Sequence, residues 1–328
     1  MDDDAALGTM RSTYWWGVPT LFGCPHDPDP AACDIALVGV PHSSGNGSTE
    51  RDQHRGPRAL RNVSSGYRRR HRRFGVVPFE LARVHDVGDV VMPDFMVSDR
   101  AVRDIEARFR AIDAAGARPL AIGGDHSITL PVLRALGRPE ATAGEPLALV
   151  HLDAHTDTYD GMDSWFGVVD SAAHWASKSV HEGLVDPGAS TQLGMRGNVS
   201  PWAQTGVSDR LGYRVIDKDA CDDLGADGVV AAIRERVGDR PAYVSFDLDC
   251  LDPAAAPAVS NLEPGVEGFT MREACAILQG LRGLDVRGAD VVCLMPTKDA
   301  PNQITAMNAM AILFELLTLM AERVAATR

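Results

Sequence analysis

The sequence predicts an α/β protein with three layers, in which helices cover both faces of a central, mainly parallel sheet. Short apolar runs alternate with helix-length amphipathic segments from about residue 34 to the end of the chain. Strands and helices that alternate in this way typically form parallel sheets covered on both faces. The chain has 328 residues, of which 45% are hydrophobic, and this is enough to build one large core.

The predicted strands and helices are distinguished by their length and periodicity. Apolar runs short enough to be buried strands occupy residues 35–40, 120–122, 147–152, 191–195, 213–216, 243–247 and 289–294. Amphipathic segments long enough to be helices occupy residues 57–70, 100–115, 128–136, 226–237, 271–281 and 304–321. Two of these helices follow residue types that favour the N-cap position: Ser98 precedes residues 100–115, and Thr270 precedes residues 271–281.

The chain is predicted to form one domain preceded by a short arm. Residues 1–33 are rich in Asp, Pro and small residues and are expected to lie outside the sheet, whereas residues 34–328 contain no internal repeat or low-complexity linker. The N-terminus lacks the basic start of a signal peptide, and no run reaches the roughly 18 uninterrupted apolar residues of a membrane span. The six cysteines have neither metal-binding nor disulfide spacing. We therefore expect reduced thiols, a cytoplasmic location and no membrane partner.

The charge of the chain argues against a nucleic-acid partner. Its formal net charge is −13, whereas nucleic-acid binders present a basic stripe to the phosphate backbone. The one basic run, residues 68–73, is short, and we interpret it as the solvated end of the helix predicted at residues 57–70.

The most informative feature of the sequence is a set of acidic and imidazole side chains near the ends of predicted strands. In an extended segment successive side chains point to opposite faces, so Asp153, His155 and Asp157 would share one face. Asp247 and Asp249 repeat this spacing. Because the carboxyl ends of parallel strands meet at one edge of a sheet, we expect these side chains to converge there. The candidate ligands are His126, Asp153, His155, Asp157, Asp247 and Asp249.

Two divalent cations match the composition of this set. Four carboxylates would repel one another and would be costly to bury without a compensating charge, and two divalent ions neutralise them. Carboxylates with some imidazole and no thiolate favour Mn²⁺, whereas thiolates would favour zinc. Two ions held close together lower the pKa of a shared water, so the expected chemistry is attack of hydroxide on a trigonal carbon.

Three segments of the sequence resemble the motifs of the ureohydrolase family, which includes arginase, agmatinase and guanidino-acid hydrolases. These segments are GGDHS at residues 123–127, DAHTD at residues 153–157 and SFDLDCLDP at residues 245–253. Further similarity runs from residues 13–20 through residues 56–61 to the last helix. The sequences of residues 153–159 and 182–187 are more similar to the agmatinase and guanidino-acid hydrolase branch than to other members of the family. The resemblance implies an arginase-like α/β/α fold, two Mn²⁺ per subunit, hydrolysis of a small guanidino or amidino compound, and a homo-oligomer (hexamer or trimer).

The resemblance also implies roles for individual ligands. One ion would be held by His126, Asp153, Asp157 and Asp247, and the other by Asp153, His155, Asp247 and Asp249. Asp153 and Asp247 would bridge the two ions. Asp157 is in addition a candidate catalytic residue, which would orient the nucleophile or stabilise the tetrahedral intermediate.

The chain departs from the family pattern at three places that are expected to select the substrate. Cys293 stands where members that cleave guanidinium compounds usually have a glutamate that pairs with the substrate, and a neutral thiol would leave a guanidinium partly uncompensated. His174 is the nearest match to the histidine of a substrate-positioning loop, and it could also pass a proton to the leaving amine. Residues 41–47 lack an aspartate that the family often has after the proline.

Three functions remain open from the sequence. The first is hydrolysis of a non-standard guanidino compound to urea and an amine. The second, suggested by Cys293, is hydrolysis of a formimino or other C–N bond without release of urea. The third is a catalytically silent, metal-binding homologue, which is at odds with the presence of all six candidate ligands.

Overall fold

The computed structural model of the chain describes residues 17–46, 51–64, 69–160, 164, 167–198 and 206–328. The strands in this part of the chain are β1 Ile35–Val40, β2 Val84–Asp89, β3 Arg118–Gly123, β4 Ala148–Leu152, β5 Thr191–Leu193, β6 Arg214–Ile216, β7 Ala242–Asp247 and β8 Val286–Val292. They form one sheet in the order β2-β1-β3-β8-β7-β4-β5-β6, and every pair of neighbours is parallel.

Helices connect the strands and cover both faces of the sheet. Within the described residues they are α1 Gly56–Ser64, α2 Pro78–Leu81, α3 Ser98–Ala114, α4 Thr129–Leu136, α5 Pro139–Thr142, α6 Trp175–His181, α7 Val207–Leu211, α8 Lys218–Val237, α9 Met271–Gly280 and α10 Ile304–Ala326. Several short 3₁₀ turns lie between them.

Alternate side chains of the strands enter two separate apolar cores, one on each face of the sheet. In β1, Ile35 and Leu37 belong to the core that also contains apolar residues of α1, α8, α9 and α10. Ala36 and Val38 belong instead to the core built with α3, α4 and α6. The three-layer α/β/α prediction is therefore confirmed, and the sheet is parallel throughout.

All seven predicted strands are present, with ends that differ by up to three residues. The sequence did not predict β2, which is the edge strand next to β1. Its sequence, VHDVGD, contains two valines separated by two polar residues and so forms no apolar run. The short helices α2, α5, α6 and α7 were also not predicted.

The prediction of residues 57–70 as one helix is wrong at its C-terminal end. Within the described residues helix α1 spans Gly56–Ser64, and the Ser64 hydroxyl accepts a hydrogen bond from the Phe22 amide at 3.1 Å and lies 3.2 Å from the Thr20 carbonyl, to which it donates. Arg69 and Arg70 are not helical, so the interpretation of the basic run as a helix end is also wrong, although Arg68 itself lies outside the described residues.

The two predicted helix caps have opposite outcomes. Thr270 caps α9 as predicted, in a capping box in which its side chain accepts a hydrogen bond from the Glu273 amide. The Ser98 cap is wrong, because α3 begins one residue earlier than a Ser98 cap requires and Val97 occupies the N-cap position without a side-chain hydrogen bond. The helix predicted at residues 226–237 extends back to Lys218 as α8, with a kink at Gly225.

Helix α10 has the length and mean hydropathy of a membrane span, although Asn308 and Glu315 interrupt its apolar sequence, so no uninterrupted apolar run of about 18 residues is present in it. Such a helix is weak evidence for a span, because core helices of soluble proteins have the same composition. In this protein 72% of its most apolar window is buried inside the fold.

The described part of the predicted arm packs against the domain. Leu21 and Phe22 are buried in the same core as α10, and the Leu21 amide donates to the Asp86 carboxylate at 3.0 Å. Residues 1–16 lie outside the described residues, and the boundary at residue 33 stays a prediction.

Candidate metal centre

The candidate ligands follow the carboxyl ends of strands that lie side by side in the centre of the sheet. The strands β3, β8, β7 and β4 are neighbours in this order. The first motif follows β3 in a tight turn at Gly124, which has φ of +33°. A Cβ at Gly124 would lie 2.5 Å from the His42 carbonyl oxygen and 2.6 Å from that of Val40, so the turn requires glycine.

The first group of ligands surrounds the buried imidazole of His126. Its Nδ1 lies 2.9 Å from Oδ2 of Asp153, 3.1 Å from Oδ2 of Asp157 and 3.1 Å from Oδ2 of Asp247. These side chains are almost completely removed from solvent. One nitrogen therefore faces three carboxylates inside the protein.

The second group of ligands surrounds His155. Its Nδ1 lies 3.2 Å from Oδ1 of Asp153 and 3.2 Å from Oδ2 of Asp249. The Asp153 carboxylate thus presents one oxygen to each histidine, and the two groups meet at this residue. The second carboxylate expected to bridge, Asp247, presents Oδ2 to His126 and accepts a hydrogen bond from the Asp249 amide through Oδ1.

The charges of this cluster are poorly balanced by the protein alone. Burial raises the pKa of Asp249, and the carboxylates of Asp247 and Asp153 raise it further, to well above its ordinary range. Burial lowers the pKa of His126, but the surrounding carboxylates of Asp153, Asp157 and Asp247 outweigh burial and raise the pKa well above its ordinary value. A bound cation would relieve the repulsion between the buried carboxylates.

The donor atoms fit divalent metal ions. The Nδ1 atom of His126 is buried and, despite its three carboxylate neighbours, has no hydrogen-bond partner of acceptable geometry among the described residues. Ligand atoms of Asp153, His155 and Asp249 form one group that lies within 4.8 Å of one another, and a second group with the same spacing contains His126, Asp153 and Asp157 together with His151. The set combines carboxylate oxygens with imidazole nitrogens and contains no thiolate, which suits divalent ions of hard or borderline character.

A chain of buried hydrogen bonds orients His126 from behind. Its Nε2 lies 2.8 Å from the hydroxyl of Ser245, which donates to Asp290 at 2.7 Å. Asp290 also accepts hydrogen bonds from the hydroxyls of Thr129 and Tyr243 at 2.8 and 2.7 Å. These hydroxyls fix the buried Asp290 carboxylate, and the carboxylate in turn fixes Ser245.

His151 supports Asp153 and is oriented by Gln192. The Gln192 amide nitrogen donates to the Thr156 carbonyl at 2.7 Å and lies 3.0 Å from Nδ1 of His151. This nitrogen is identified as the donor because a carbonyl can only accept. Nδ1 of His151 then accepts, and the protonated Nε2 donates to Oδ2 of Asp153 at 2.9 Å.

Asp157 is held by the beginning of helix α6. The indole nitrogen of Trp175 donates to Oδ2 of Asp157 at 2.8 Å, and the Ala176 amide donates to the Asp157 carbonyl. Asp157 has φ of +49°, a strained value for a residue with a side chain, and these contacts hold it there.

His174 lies in the turn that precedes α6, and its imidazole is buried. Its Nε2 lies 2.7 Å from the Val169 carbonyl oxygen and 3.0 Å from the Ser171 amide nitrogen. Its Nδ1 is buried without a hydrogen-bond partner among the described residues. Burial and the charge of Lys178 lower the pKa of His174. The role assigned to His174 from the sequence stays a prediction.

Cys293 follows β8 at the same edge of the sheet. Its amide donates to the Gly124 carbonyl at 2.8 Å, and its backbone has φ of +73°. Burial raises the pKa of the thiol well above its ordinary value, and the nearby carboxylates of Asp247 and Asp249 raise it further. The thiol is therefore neutral and close to the candidate ligands.

The other two departures from the family pattern contact each other. The Gly45 carbonyl accepts a hydrogen bond from the Ala172 amide at 3.0 Å, next to the turn that contains His174. The Gly45 amide donates to the buried Asp125 carboxylate at 2.9 Å. The loop at residues 41–46 is thereby attached both to the first motif and to the His174 turn.

Sequence reasoning did not identify the residues that support the ligands. A signal was present for Ser245, since alternation along β7 places it on the same face as Asp247. Glu263, whose Oε1 lies 3.1 Å from Nε2 of His155, carries no comparable signal, because it lies in an irregular loop far from His155 in sequence. Gln192 and Trp175 likewise become neighbours of the ligands only through the tertiary fold.

The chain is similar to known proteins over most of its length. A model described as "Arginase family" matches residues 33–318. The guanidinopropionase of Pseudomonas aeruginosa is 40% identical over 326 residues, which cover 99% of this chain and 98% of that protein. An agmatinase of Escherichia coli is 36% identical over 305 residues, covering 91% of this chain and 90% of that protein. The structure of a proclavaminate amidino hydrolase from Streptomyces clavuligerus has a TM-score of 0.86 at 34% identity, over 94% of this chain and 98% of that chain.

Proposed function

This chain belongs to the arginase family, and from that premise we propose that it is an amidinohydrolase that cleaves a C–N bond of a small guanidino compound to give urea and an amine. The observation that carries this proposal is the meeting of two ligand groups at Asp153, with one carboxylate oxygen facing His126 and the other facing His155. The names of the relatives support a guanidino substrate.

The six candidate ligands would form two metal sites that share Asp153 and Asp247. His126, Asp153, Asp157 and Asp247 would hold one Mn²⁺, and Asp153, His155, Asp247 and Asp249 the other. Two Mn²⁺ ions bound in this way would supply hydroxide as a nucleophile at neutral pH.

Two further residues would act on the substrate and the nucleophile. Asp157 has its carboxylate held by Trp175, so it would orient the nucleophile towards the amidine carbon. His174 has Nδ1 without a partner among the described residues and would pass a proton to the leaving amine through this atom. Cys293 would lie beside the bound guanidino group.

The proposal is tested by loading the protein with Mn²⁺ and assaying urea release from a panel of guanidino compounds. The panel should contain 3-guanidinopropionate, 4-guanidinobutyrate, agmatine and arginine, and also compounds with other chain lengths and functional groups. The matched control is Asp249→Asn, which keeps the size of the side chain but removes a proposed ligand. Release of urea by the wild type and its loss in the variant support the proposal, whereas silence across the panel contradicts it.

A second reaction is favoured by one observation, the neutral thiol of Cys293 near Asp247 and Asp249. A thiol does not compensate a permanently charged guanidinium, so the substrate could instead be a formimino compound whose cleavage releases no urea. Release of ammonia or formamide without urea from such a compound would select this alternative. The metal ligands and their roles are the same in both reactions.

We further propose a cytoplasmic homo-oligomer, a hexamer or trimer, from the family resemblance. Size-exclusion chromatography with light scattering measures the mass in solution, and a monomer at micromolar concentration would contradict this part.

A further inference from the structure

We propose that Glu263 is a positioning residue for the metal ligand His155, which it orients through a hydrogen bond to the ring nitrogen that faces away from the other ligands. This inference rests on the proposed function, because it concerns one of the two metal sites on which that function depends. It adds a residue from a loop that none of the three family motifs contains.

The ring of His155 has its two nitrogens in different surroundings. Its Nδ1 faces two other candidate ligands, with Oδ1 of Asp153 and Oδ2 of Asp249 both at 3.2 Å. Its Nε2 lies 3.1 Å from Oε1 of Glu263. Donation of a proton from Nε2 to Glu263 leaves the lone pair on Nδ1, where a metal would be bound. A carboxylate in this position fixes the tautomer and the angle of the ring and makes the ligand more basic.

The loop around Glu263 is built to hold the carboxylate in place. Glu263 has φ of +43°, which a non-glycine residue adopts only when its surroundings enforce it. Arg196 donates hydrogen bonds to the carbonyl of the preceding residue, Leu262, at 3.3 Å and to that of Leu251 at 3.2 Å. The Arg196 amide in turn donates to the carbonyl of Ala154, the residue before His155. The loop and the ligand segment are therefore attached to the same arginine.

Gly197 provides the space for this carboxylate. It has φ of +82°, and a Cβ added to it would lie 2.3 Å from Oε2 of Glu263. The glycine is thus required both for its own backbone conformation and for the position of the Glu263 side chain.

In the other two imidazoles of the site, one ring nitrogen likewise faces the carboxylates and the other is held by a neighbouring side chain. His126 directs Nδ1 to the carboxylates while Nε2 is fixed by Ser245, and His151 directs Nε2 to Asp153 while Nδ1 is fixed by Gln192. His155 differs because its partner is a carboxylate and because its side chain is 31% exposed, against 2% for His126. A ligand with this exposure depends more strongly on a partner that restricts its rotation.

The test measures metal uptake directly, with Glu263→Ala, the conservative variant Glu263→Gln, and Glu267→Ala as a matched control, since Glu267 is an exposed residue of the same loop. Mn²⁺ binding is followed by calorimetry and by equilibrium dialysis with elemental analysis, and the coupling of two bound ions by electron paramagnetic resonance. Thermal unfolding of the metal-free proteins shows whether a substitution damages the fold.

We expect Glu263→Ala to bind one of two Mn²⁺ ions about 10- to 100-fold more weakly, which is the usual effect of losing such a partner. The other ion should bind as in the wild type, and the metal-free variant should unfold at the wild-type temperature. Glu263→Gln should recover much of the affinity, because its amide oxygen still accepts from Nε2. Gly197→Ala should weaken the same ion while the charge of Glu263 is unchanged.

Wild-type uptake of both ions by Glu263→Ala would overturn the inference. So would equal losses in Glu263→Ala and Glu267→Ala, since this would indicate a general effect of charge. If Glu263→Ala selectively loses one ion and the wild type hydrolyses no guanidino compound, the positioning role stands and the proposed function fails.

Discussion

The pattern of residues 153–157 predicted three candidate ligands from local geometry alone. In the structure Nδ1 of His155 lies 3.2 Å from Oδ1 of Asp153, but strand β4 ends at Leu152 and the chain bends at Ala154 and His155, so the two side chains meet in a turn and not through strand alternation. Asp157 reaches His126 from a strained backbone conformation, which alternation alone does not describe. The supporting residue Glu263 could not be predicted, because its contact with His155 spans a loop and depends on the whole fold.

Cys293→Glu tests whether position 293 contacts the substrate. A glutamate in this place would pair with a guanidinium, and a charge-assisted hydrogen bond contributes about 1.5–3 kcal/mol, so we expect KM for guanidino compounds to fall roughly 10- to 100-fold. Cys293→Ser is the control, since it is of similar size and remains neutral. KM values are measured for the Mn²⁺-loaded proteins with a urea assay. Equal KM values for the two variants would mean that residue 293 does not contact the substrate.

His174→Gln tests a proton-transfer role and predicts a change in the pH dependence of stability. Loss of a general acid or base typically lowers kcat by about 10²- to 10⁴-fold, and KM should change little. Burial lowers the pKa of His174 in the folded protein. Below the pKa of about 6.5 that histidine has in the unfolded chain, the unfolded chain therefore binds a proton more readily than the folded protein does, and this favours unfolding. The contribution of His174 to folding stability is therefore lost as the pH falls below that value.

Urea denaturation at pH values between 5 and 8 measures this second effect. The wild type should lose stability more steeply than His174→Gln as the pH falls below about 6.5, given the lowered pKa of the buried imidazole. Parallel curves for the two proteins, together with an unchanged kcat, would assign His174 to neither role.

At the scale of elements, seven of the eight strands in the described part of the chain were predicted, including the edge strand β6, whereas the edge strand β2 was not. β2 lies at the edge of the sheet, where a single bridge joins Asp86 to His26 on its outer side. The polar Asp86 is tolerated in this strand because Arg61 donates hydrogen bonds to both of its buried oxygens, at 2.8 and 2.9 Å. The short helix α6 was missed for another reason. It spans only Trp175–His181, which is too few residues for a helical period to be recognised from the sequence.

The helix caps give a matched prediction at this scale. Thr270→Ala removes a side-chain hydrogen bond to the Glu273 amide, so we expect the free energy of unfolding to fall by about 1 kcal/mol. Ser98→Ala replaces a residue of the same type that is not a cap and should change the free energy by less than about 0.5 kcal/mol. Urea denaturation of both variants measures the difference. A larger loss in Ser98→Ala than in Thr270→Ala would contradict the capping geometry.

For the whole molecule, the gathering of the ligands at one edge was predictable but the order of the strands was not. Parallel strands bring their carboxyl ends together whichever way they are ordered. The insertion of β8, the last strand of the chain, between β3 and β7 is a non-local pairing, which the sequence pattern does not specify. This insertion brings Cys293 to the amide-to-carbonyl contact with Gly124 and thereby close to Asp247 and Asp249.

The buried carboxylates predict that metal ions stabilise the whole fold. Ions that bind only the folded state stabilise it by about 2.7 kcal/mol when their concentration is 100 times Kd. We therefore expect Tm of the wild type to rise by several degrees on addition of Mn²⁺ and to fall again on chelation, as measured by differential scanning calorimetry.

Asp249→Asn tests the role of Asp249 in particular, because we expect the order of Tm between the variant and the wild type to depend on Mn²⁺. Burial and the neighbouring carboxylates disfavour the charged form of Asp249, so the amide relieves repulsion in the metal-free protein. Without metal, Tm of the variant should equal or exceed that of the wild type. With Mn²⁺, the wild type should be the more stable protein, since the variant lacks a ligand. A wild-type Tm that does not respond to Mn²⁺, or a variant that gains as much as the wild type, would contradict a role of Asp249 in metal binding.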